Sequence, residues 1–139
     1  MSFYNLNYHI VFSTKNRIAA IPTAKIRNVH AILYTLLKDK GCFIHRIGGI
    51  ENHVHILAEI PITQHIPDLM SYLKSESTKA LRFEGIIPDW AGWQEGYGIF
   101  TVSRELIEQK KNYIRNQAEH HKGISFIDEL RQMLIEIGI

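Results

Sequence analysis

Four side chains in two short segments have the types and spacing of a metal-assisted reaction site. His53 and His55 alternate within a strand-like segment, residues 51–57, so both imidazoles would lie on one face of a β-strand. Tyr113 and Gln117 are four residues apart, so they would share one face of a helix. If these faces meet, two imidazoles and an amide oxygen surround a cation, with a phenol beside it. Such a site could cleave a phosphodiester bond with tyrosine as the nucleophile.

Each of these side chains also has a simpler interpretation. The chain contains 8 histidines, so a His-X-His pair also fits two half-exposed strand residues without a ligand. Two neutral nitrogens bind a divalent ion weakly, and a third ligand is therefore required. Gln117 could supply a neutral oxygen that suits Mg²⁺ or Mn²⁺, although by itself it also fits a solvated helix position. The rival third ligands are His9, His120 and His121.

Tyr113 is the residue on which the chemistry depends. Its ordinary interpretation is an amphipathic tyrosine at the edge of the core. On the predicted helix it lies with Gln117 in a mostly polar stripe, beside the apolar stripe that contains Ile107 and Ile114. A phenol with a pKa of about 10 is a poor nucleophile at neutral pH, so it needs a nearby cation or base.

Length and composition fit a single domain spanning residues 1–139. The chain has 139 residues, of which 45% are hydrophobic and 22% charged, values typical of a globular protein with its own core. The formal net charge is only +2. This charge permits nucleic-acid binding but does not argue for it, so any DNA contact would need locally clustered lysines and arginines.

The single cysteine and the lack of long apolar runs indicate a reducing, aqueous compartment. Cys42 lies in an apolar segment, where a buried and unreactive thiol is expected, and one cysteine cannot form an internal disulfide or a Cys-rich zinc site. No segment has the pattern of a signal peptide or a membrane span. We therefore expect a cytoplasmic protein, nucleoid-associated when bound to DNA, with no membrane partner.

The hydrophobic periodicity predicts the element order β-α-β-β-α-β, followed by helices. Gly48-Gly49 is expected near the turn between the second and third strands, and Ser103 is expected to cap the helix that carries Tyr113. The order matches a ferredoxin-like (RRM-like) split βαβ fold of the α+β class: a four-stranded antiparallel sheet with helices on one face, plus C-terminal helices. The predicted strands are 3–14, 43–50, 52–60 and 96–102, and the predicted helices are 23–40, 67–82, 103–122 and 125–137.

Several segments, spread over nearly the whole chain, are informative through their order and spacing. They are 8–17 (YHIVFSTKNR), 52–57 (NHVHIL), 73–77 (LKSES), 93–103 (WQEGYGIFTVS), 113–117 (YIRNQ) and 120–121 (HH). Each segment alone is weak evidence. Together they resemble the single-tyrosine HUH transposases of the insertion-sequence 200/605 type and the related REP-associated tyrosine transposases.

The resemblance implies a role for each of the four chemical side chains. His53 and His55 would be the paired metal ligands, Gln117 the third ligand and Tyr113 the nucleophile, with Mg²⁺ or Mn²⁺ as the ion. The protein would be an enzyme, a transposase that recognises a DNA hairpin, cleaves single-stranded DNA and transfers strands through a 5′-phosphotyrosine. It would work as a homodimer in which the tyrosine helix can complete the partner's active site.

Two other functions stay open on the sequence alone. One is a catalytically silent protein that binds DNA hairpins, which the intact set of four side chains argues against. The other is a metal-sensing ferredoxin-like protein, which leaves Tyr113 without a role.

Lysines and arginines are the candidates for phosphate contacts, and binding through them should weaken steeply with added salt. Trp90, Trp93 and Tyr97 could stack on unpaired bases, although core packing is expected for at least one tryptophan. The predicted phosphate contacts are Lys15, Arg17, Lys74, Lys79, Lys110, Lys111 and Arg115.

Overall fold

A four-stranded antiparallel sheet organises the chain. The computed structural model describes residues 1–138, and its sheet has the strand order β2-β3-β1-β4. Every neighbouring pair is antiparallel. This is the strand order of the predicted ferredoxin-like α+β fold, which is confirmed. The strands are β1 (Asn7–Ser13), β2 (Phe43–Ile50), β3 (His53–Glu59) and β4 (Gly98–Thr101).

Helices cover both faces of the sheet. On one face lie α1 (Ile26–Asp39) and α2 (Ile66–Phe83), which share the main core with β1 and β3. The opposite face is covered by the C-terminal helices α3 (Ile107–Arg115), α4 (Gln117–His120) and α5 (Phe126–Glu136).

Among residues 1–138 no helix is both long and apolar enough to cross a bilayer.

The face under α1 and α2 is an apolar core. Leu33 is fully buried there, and burial of such a side chain contributes about 1.5–3 kcal/mol. Cys42 is also buried, and burial raises the pKa of its thiol to about 11, as an unreactive thiol requires. The strand residues of this core are Ile10, Phe12, Val54, Ile56 and Ala58, and its helical residues include Val29, Leu33, Leu37, Leu69, Leu73 and Leu81.

The opposite face of the same two strands is partly polar. Successive strand residues alternate in direction, so the residues between the core positions point towards α3, α4 and α5. Val11 and Leu57 pack there against apolar side chains of these helices. His9, His53 and His55 also lie on this face and are all buried, as are Asn7 and Ser13.

The turn between β2 and β3 lies at Glu51–Asn52, close to the predicted Gly48-Gly49, but both glycines belong to β2 and not to the turn itself. Gly48 instead pairs with His55 inside the sheet. A Cβ atom at Gly48 would collide with the carbonyl oxygen and side chain of Ile114 in α3. The glycine therefore allows the helix that carries Tyr113 to cross the sheet at close range.

β1 and β4 are shorter than predicted. β3 ends at Glu59 opposite Asn7, so residues 3–6 have no partner strand within the described chain. β4 pairs with β1 only from residue 98 to residue 101. The side chains of Phe3 and Tyr4 are accordingly exposed.

The predicted helix 103–122 is divided into three pieces. A 3₁₀ turn at Arg104–Leu106 precedes α3, and Asn116, a poor helix former, separates α3 from α4. The predicted cap at Ser103 is wrong, because its side chain accepts no capping hydrogen bond; its backbone carbonyl accepts from the Leu106 N–H instead. α5 does have a side-chain cap, since Ser125 accepts from the backbone N–H of Asp128 at 3.2 Å.

Candidate active site

His53 and His55 lie side by side on β3, on the face that the C-terminal helices cover. Both side chains are 0% exposed. The ring of His53 stacks on Phe126 of α5 with centroids 4.1 Å apart. Burial lowers the pKa of His55 to about 4, although the hydrogen bond and charge of Glu129 act in the opposite direction.

Gln117 and Tyr113 approach these imidazoles from α4 and α3. Oε1 of Gln117 is 2.9 Å from Nε2 of His53, and Gln117 is 1% exposed, so it is not the solvated residue of the simpler interpretation. The ring of Tyr113 lies edge-on to His55, with centroids 5.7 Å apart. The structure therefore brings all four side chains together within one protomer, while their chemical roles stay predictions.

Glu129 of α5 lies at the centre of the group. Its Oε1 is 3.0 Å from Nε2 of His55 and 3.5 Å from Nε2 of His53. Its Oε2 accepts a hydrogen bond from the Tyr113 hydroxyl and another from Nε2 of Gln117, the latter at 3.0 Å. The carboxylate, 1% exposed, thus connects the imidazole pair to the phenol.

The charge of Glu129 dominates the electrostatics of the site. Burial alone would raise the pKa of this carboxyl. If Nε2 of His53 and of His55 carries the hydrogen and donates to it, these hydrogen bonds outweigh burial and hold the pKa well below its usual range. Burial and the hydrogen bond to Glu129 raise the pKa of the Tyr113 phenol. In this arrangement the carboxylate is ionised and the phenol keeps its proton.

Sequence pattern alone did not predict a role for Glu129. A signal was present, because Glu129 lies three residues after Phe126 and four before Met133, both of which are buried. An acidic residue in the apolar stripe of an amphipathic helix needs a buried partner. The sequence does not say which partner, since the imidazole of His55 is 74 residues away.

The rival third ligands occupy three different positions. His9 lies behind His55, where its Nε2 and Nδ1 of His55 share a hydrogen bond of 2.8 Å. Burial, His55 and Lys110 lower the pKa of His9 to about 3. His9 therefore contacts one of the two predicted histidine ligands from behind. His120 and His121 reach the carboxylate itself, with Nε2 atoms 3.3 Å and 3.2 Å from Glu129 oxygens.

Hydrogen-bond geometry provides a test of whether these residues suit a cation. The amide nitrogen of Asn52 faces the carbonyl of Arg17, so its Oδ1 accepts from Nδ1 of His53 at 2.8 Å. A neutral His53 then presents a lone pair at Nε2. Gln117 also presents a lone pair at Oε1, since its amide nitrogen donates to Glu129. Two lone pairs 2.9 Å apart require a positive charge between them, so the donor set fits a metal ion.

The predicted DNA-contacting residues fall into two groups, the first beside α2. A groove of roughly 800 Å³ is lined by Lys15, Lys74, Lys79 and Arg82. Lys74 donates to the carbonyl of Gln94 at 2.8 Å, so it also holds the wall of the groove. This groove is larger than the cleft of roughly 170 Å³ beside Tyr113 and is a separate surface.

Arg17 lies next to this groove, and the second group lies on α3. Arg17 and its neighbour Asn16 have positive φ values of 56° and 58°, a strained conformation for residues with side chains. On α3, Nζ of Lys110 is 5.7 Å from the centre of the Tyr113 ring. Lys111 pairs with Glu108 at 3.5 Å, and Arg115 donates to Asn112 at 3.0 Å.

Base stacking by the tryptophans is not supported by their positions. Trp90 and Trp93 are buried in the main core, where their rings pack edge-on at 4.8 Å. Tyr97 is 39% exposed, so it is the accessible aromatic ring of the three predicted.

Comparison with known proteins identifies relatives along most of the chain. Residues 2–117 match the family model described as "Transposase IS200 like". The chain is 32% identical over 124 residues to the transposase for insertion sequence element IS200 of Salmonella typhimurium, covering 86% of this chain and 81% of that protein. It is 28% identical over 121 residues to the ISDra2 transposase TnpA of Deinococcus radiodurans, covering 82% of this chain and 85% of that one.

Solved structures have the same fold. A candidate transposase from Deinococcus radiodurans superposes with a TM-score of 0.65 at 26% identity, covering 84% of this chain and 93% of that one. A REP-associated tyrosine transposase bound to a REP hairpin gives a TM-score of 0.66 at 14% identity, covering 89% and 76%. At 14% identity the second likeness concerns the fold alone.

Proposed function

The chain belongs to the IS200-like transposase family and is a transposase, and we propose that it cleaves and rejoins single-stranded DNA through a covalent bond between Tyr113 and a 5′-phosphate. The observation that carries this proposal is the convergence of Tyr113 with His53, His55 and Gln117 on one buried carboxylate, Glu129. A silent DNA-binding or metal-sensing protein would have no need of this arrangement, and the family does not favour either.

In the proposed reaction the phenolic oxygen of Tyr113 attacks the scissile phosphorus. A bond forms between this oxygen and phosphorus, the bond from phosphorus to the 3′-oxygen breaks, and one strand leaves with a free 3′-hydroxyl. The phenolic proton passes to Oε2 of Glu129, which already accepts the hydrogen bond of that hydroxyl, and from there to the leaving 3′-oxygen. The product is a 5′-phosphotyrosine.

Rejoining reverses these steps with a different strand. Its 3′-hydroxyl attacks the phosphotyrosine, the bond to Tyr113 breaks and the phenol recovers its proton. The energy of the phosphodiester is kept in the covalent intermediate, so no nucleotide cofactor is required.

His53, His55 and Gln117 would hold a divalent cation, Mg²⁺ or Mn²⁺. When bound, the ion supplies positive charge that stabilises the phosphate as its negative charge increases in the transition state. His9 and Asn52 keep the two imidazoles oriented through hydrogen bonds of 2.8 Å each.

The proposed substrate is single-stranded DNA with a hairpin. The groove that contains Lys15, Lys74 and Lys79 supports this assignment, because it gathers several cationic side chains that phosphates would attract. Arg17, Lys110, Lys111 and Arg115 are further proposed phosphate contacts. We also propose a homodimer that acts in the cytoplasm on nucleoid DNA.

The decisive experiment measures covalent protein–DNA adducts on denaturing gels. Labelled single-stranded hairpin DNA is incubated with the protein and Mn²⁺, with Tyr113→Phe beside the unsubstituted chain. Removing the nucleophilic oxygen should reduce the adduct by at least about 1,000-fold, while hairpin binding stays within a few-fold. Tyr34→Phe, at an exposed tyrosine of α1, is the matched control and should form normal adduct. An adduct that survives Tyr113→Phe would assign the chemistry to another residue.

A further inference from the structure

His121 has the hydrogen-bond pattern of a metal ligand. Its Nδ1 is 2.7 Å from the carbonyl oxygen of Ile124, and a carbonyl can only accept, so Nδ1 donates. A neutral imidazole then carries a lone pair at Nε2. This atom is 3.1 Å from Oε1 of Gln117 and 3.2 Å from Oε1 of Glu129. Neither oxygen carries a hydrogen, so three lone pairs face one another.

The same pattern occurs at the two predicted histidine ligands. His53 donates from Nδ1 to Asn52 and directs Nε2 towards the same two oxygens, and His55 is bonded through Nδ1 to His9 and directs Nε2 towards Glu129. Three imidazoles therefore point their Nε2 atoms inwards while their Nδ1 atoms are bonded outwards. Metal-binding histidines are held in this way by their surroundings.

The distances from the two oxygens to the imidazoles are close to those around one shared ion. The ring nitrogens themselves form two neighbouring clusters that share Glu129, His53 with His55 and His120 with His121, so an ion shared by His53, His55 and His121 would draw the two clusters together. Donor atoms bound to one ion at about 2.1 Å lie about 3.0–3.4 Å from their neighbours. The contacts of Glu129 Oε1 with the three imidazoles measure 3.0, 3.2 and 3.5 Å. Those of Gln117 Oε1 with His53 and His121 measure 2.9 and 3.1 Å. All five side chains are 5% exposed or less.

We propose that the metal ion of this transposase is held by five side chains, His53, His55, Gln117, His121 and Glu129. This inference rests on the proposed function, whose site it extends. His121 and Glu129 lie beyond residues 2–117, the part of the chain that matches the family. The C-terminal segment is therefore part of the metal site.

This donor set has chemical consequences for the choice of ion. Three imidazole nitrogens, one carboxylate and one amide oxygen favour transition ions such as Mn²⁺ and Co²⁺ over Mg²⁺, which prefers oxygen and water. Glu129 would use Oε1 for the ion while Oε2 accepts from Tyr113. One carboxylate thus positions the nucleophile relative to the ion.

The test measures ion binding without DNA, by calorimetry with Mn²⁺ and by the visible absorption of Co²⁺. Glu129→Gln and His121→Asn should each weaken binding by at least about tenfold. The matched controls, Glu136→Gln on the same helix and His65→Asn at an exposed histidine, should keep the unsubstituted affinity. Excess Mg²⁺ should not displace Co²⁺. Circular dichroism of each variant checks that α5 is still folded.

A second measurement needs no substitution. In the proton NMR spectrum of the Co²⁺-loaded protein in water, each histidine bound through Nε2 gives one exchangeable, strongly shifted Nδ1–H signal. Three such signals are expected, and two would overturn the proposal.

Other outcomes separate this inference from the proposed function. If His53→Ala loses the ion while Glu129→Gln and His121→Asn keep it, the three-ligand site stands and the five-ligand site is wrong. If Glu129→Gln keeps the ion and forms adduct faster, the carboxylate lies where the phosphate binds, which also overturns the inference. If His53→Ala keeps the ion, the metal assignment of the proposed function fails.

Discussion

The two faces of one sheet are built on different principles. β1 and β3 direct Ile10, Phe12, Val54 and Ile56 towards α1 and α2. The residues between them, including His9, His53 and His55, are equally buried but lie under α3, α4 and α5. The same two strands therefore carry an apolar core on one side and a polar cluster on the other.

The difference concerns what holds each face together. Apolar packing does not depend on direction and gains free energy roughly in proportion to the area buried. The polar face depends on directed contacts around Glu129 and Gln117, and two of these contacts would join lone pairs around the proposed ion. The molecule thus separates an apolar core, on the α1–α2 face, from the proposed reaction site, on the α3–α5 face.

The largest expected effect of a single substitution on the polar face is on activity. His53→Ala removes a proposed ligand and should reduce metal-dependent adduct formation by at least about 100-fold. His65→Ala, at an exposed histidine, is the control and should be normal in the same gel assay. Undiminished adduct in His53→Ala would show that the polar face is structural as well, and the comparison would fail.

On the apolar face, the largest effect should be on stability. Leu33→Ala leaves a cavity beneath α1 and should lower the free energy of unfolding by about 2–5 kcal/mol, as measured by urea denaturation. Ile62→Ala, at an exposed position, should change it by less than about 0.5 kcal/mol. Adduct formation per folded molecule should be retained in both variants. A loss of adduct in folded Leu33→Ala would mean that the two faces are coupled.

A smaller effect on stability is expected from the imidazole of His30 as the pH is lowered. His30 of α1 is partly buried near Arg46, and burial, followed by the charge of Arg46, lowers its pKa from 6.5 to about 4. As the pH decreases, the unfolded chain therefore takes up a proton on His30 below about pH 6.5, whereas the folded chain takes it up only below about pH 4. Stability should fall across this window as the pH decreases and should level off below it.

His30→Gln tests this contribution. The loss of unfolding free energy between pH 7 and pH 4.5 should be smaller in the variant by on the order of 1 kcal/mol, allowing for partial exposure of the imidazole. His65→Gln should lose as much as the unsubstituted chain. Equal losses in all three proteins would show that His30 does not contribute to acid sensitivity.

The periodic parts of the molecule were predictable from sequence. Alternation in β1 and β3 assigned the buried residues to the correct faces, and the four-residue spacing brought Tyr113 and Gln117 to the same carboxylate. Gly48-Gly49 was expected near a turn because a glycine pair ordinarily marks a reversal. The turn does follow at Glu51–Asn52, but the role of Gly48 in allowing close approach by α3 was not predicted. Close approach depends on a residue 66 positions away and leaves no local pattern.

The centre of the site was not predictable for a related reason. Glu129 contacts side chains from β3, α3 and α4, and no periodicity connects these elements to α5. His121 was included among rival ligands only because it is a histidine near the end of the tyrosine helix. Its orientation depends on the carbonyl of Ile124, a backbone contact that residue types do not reveal.

The close contact at Gly48 has a consequence for how copies of this gene would lose function by mutation. Any missense change in its codon adds at least one carbon atom where the backbone of Ile114 leaves no room. The displaced helix would move Tyr113 away from His53 and His55, although every predicted active-site side chain would still be present. A single missense change at this codon is therefore expected to silence a transposase whose predicted active-site residues still read as complete.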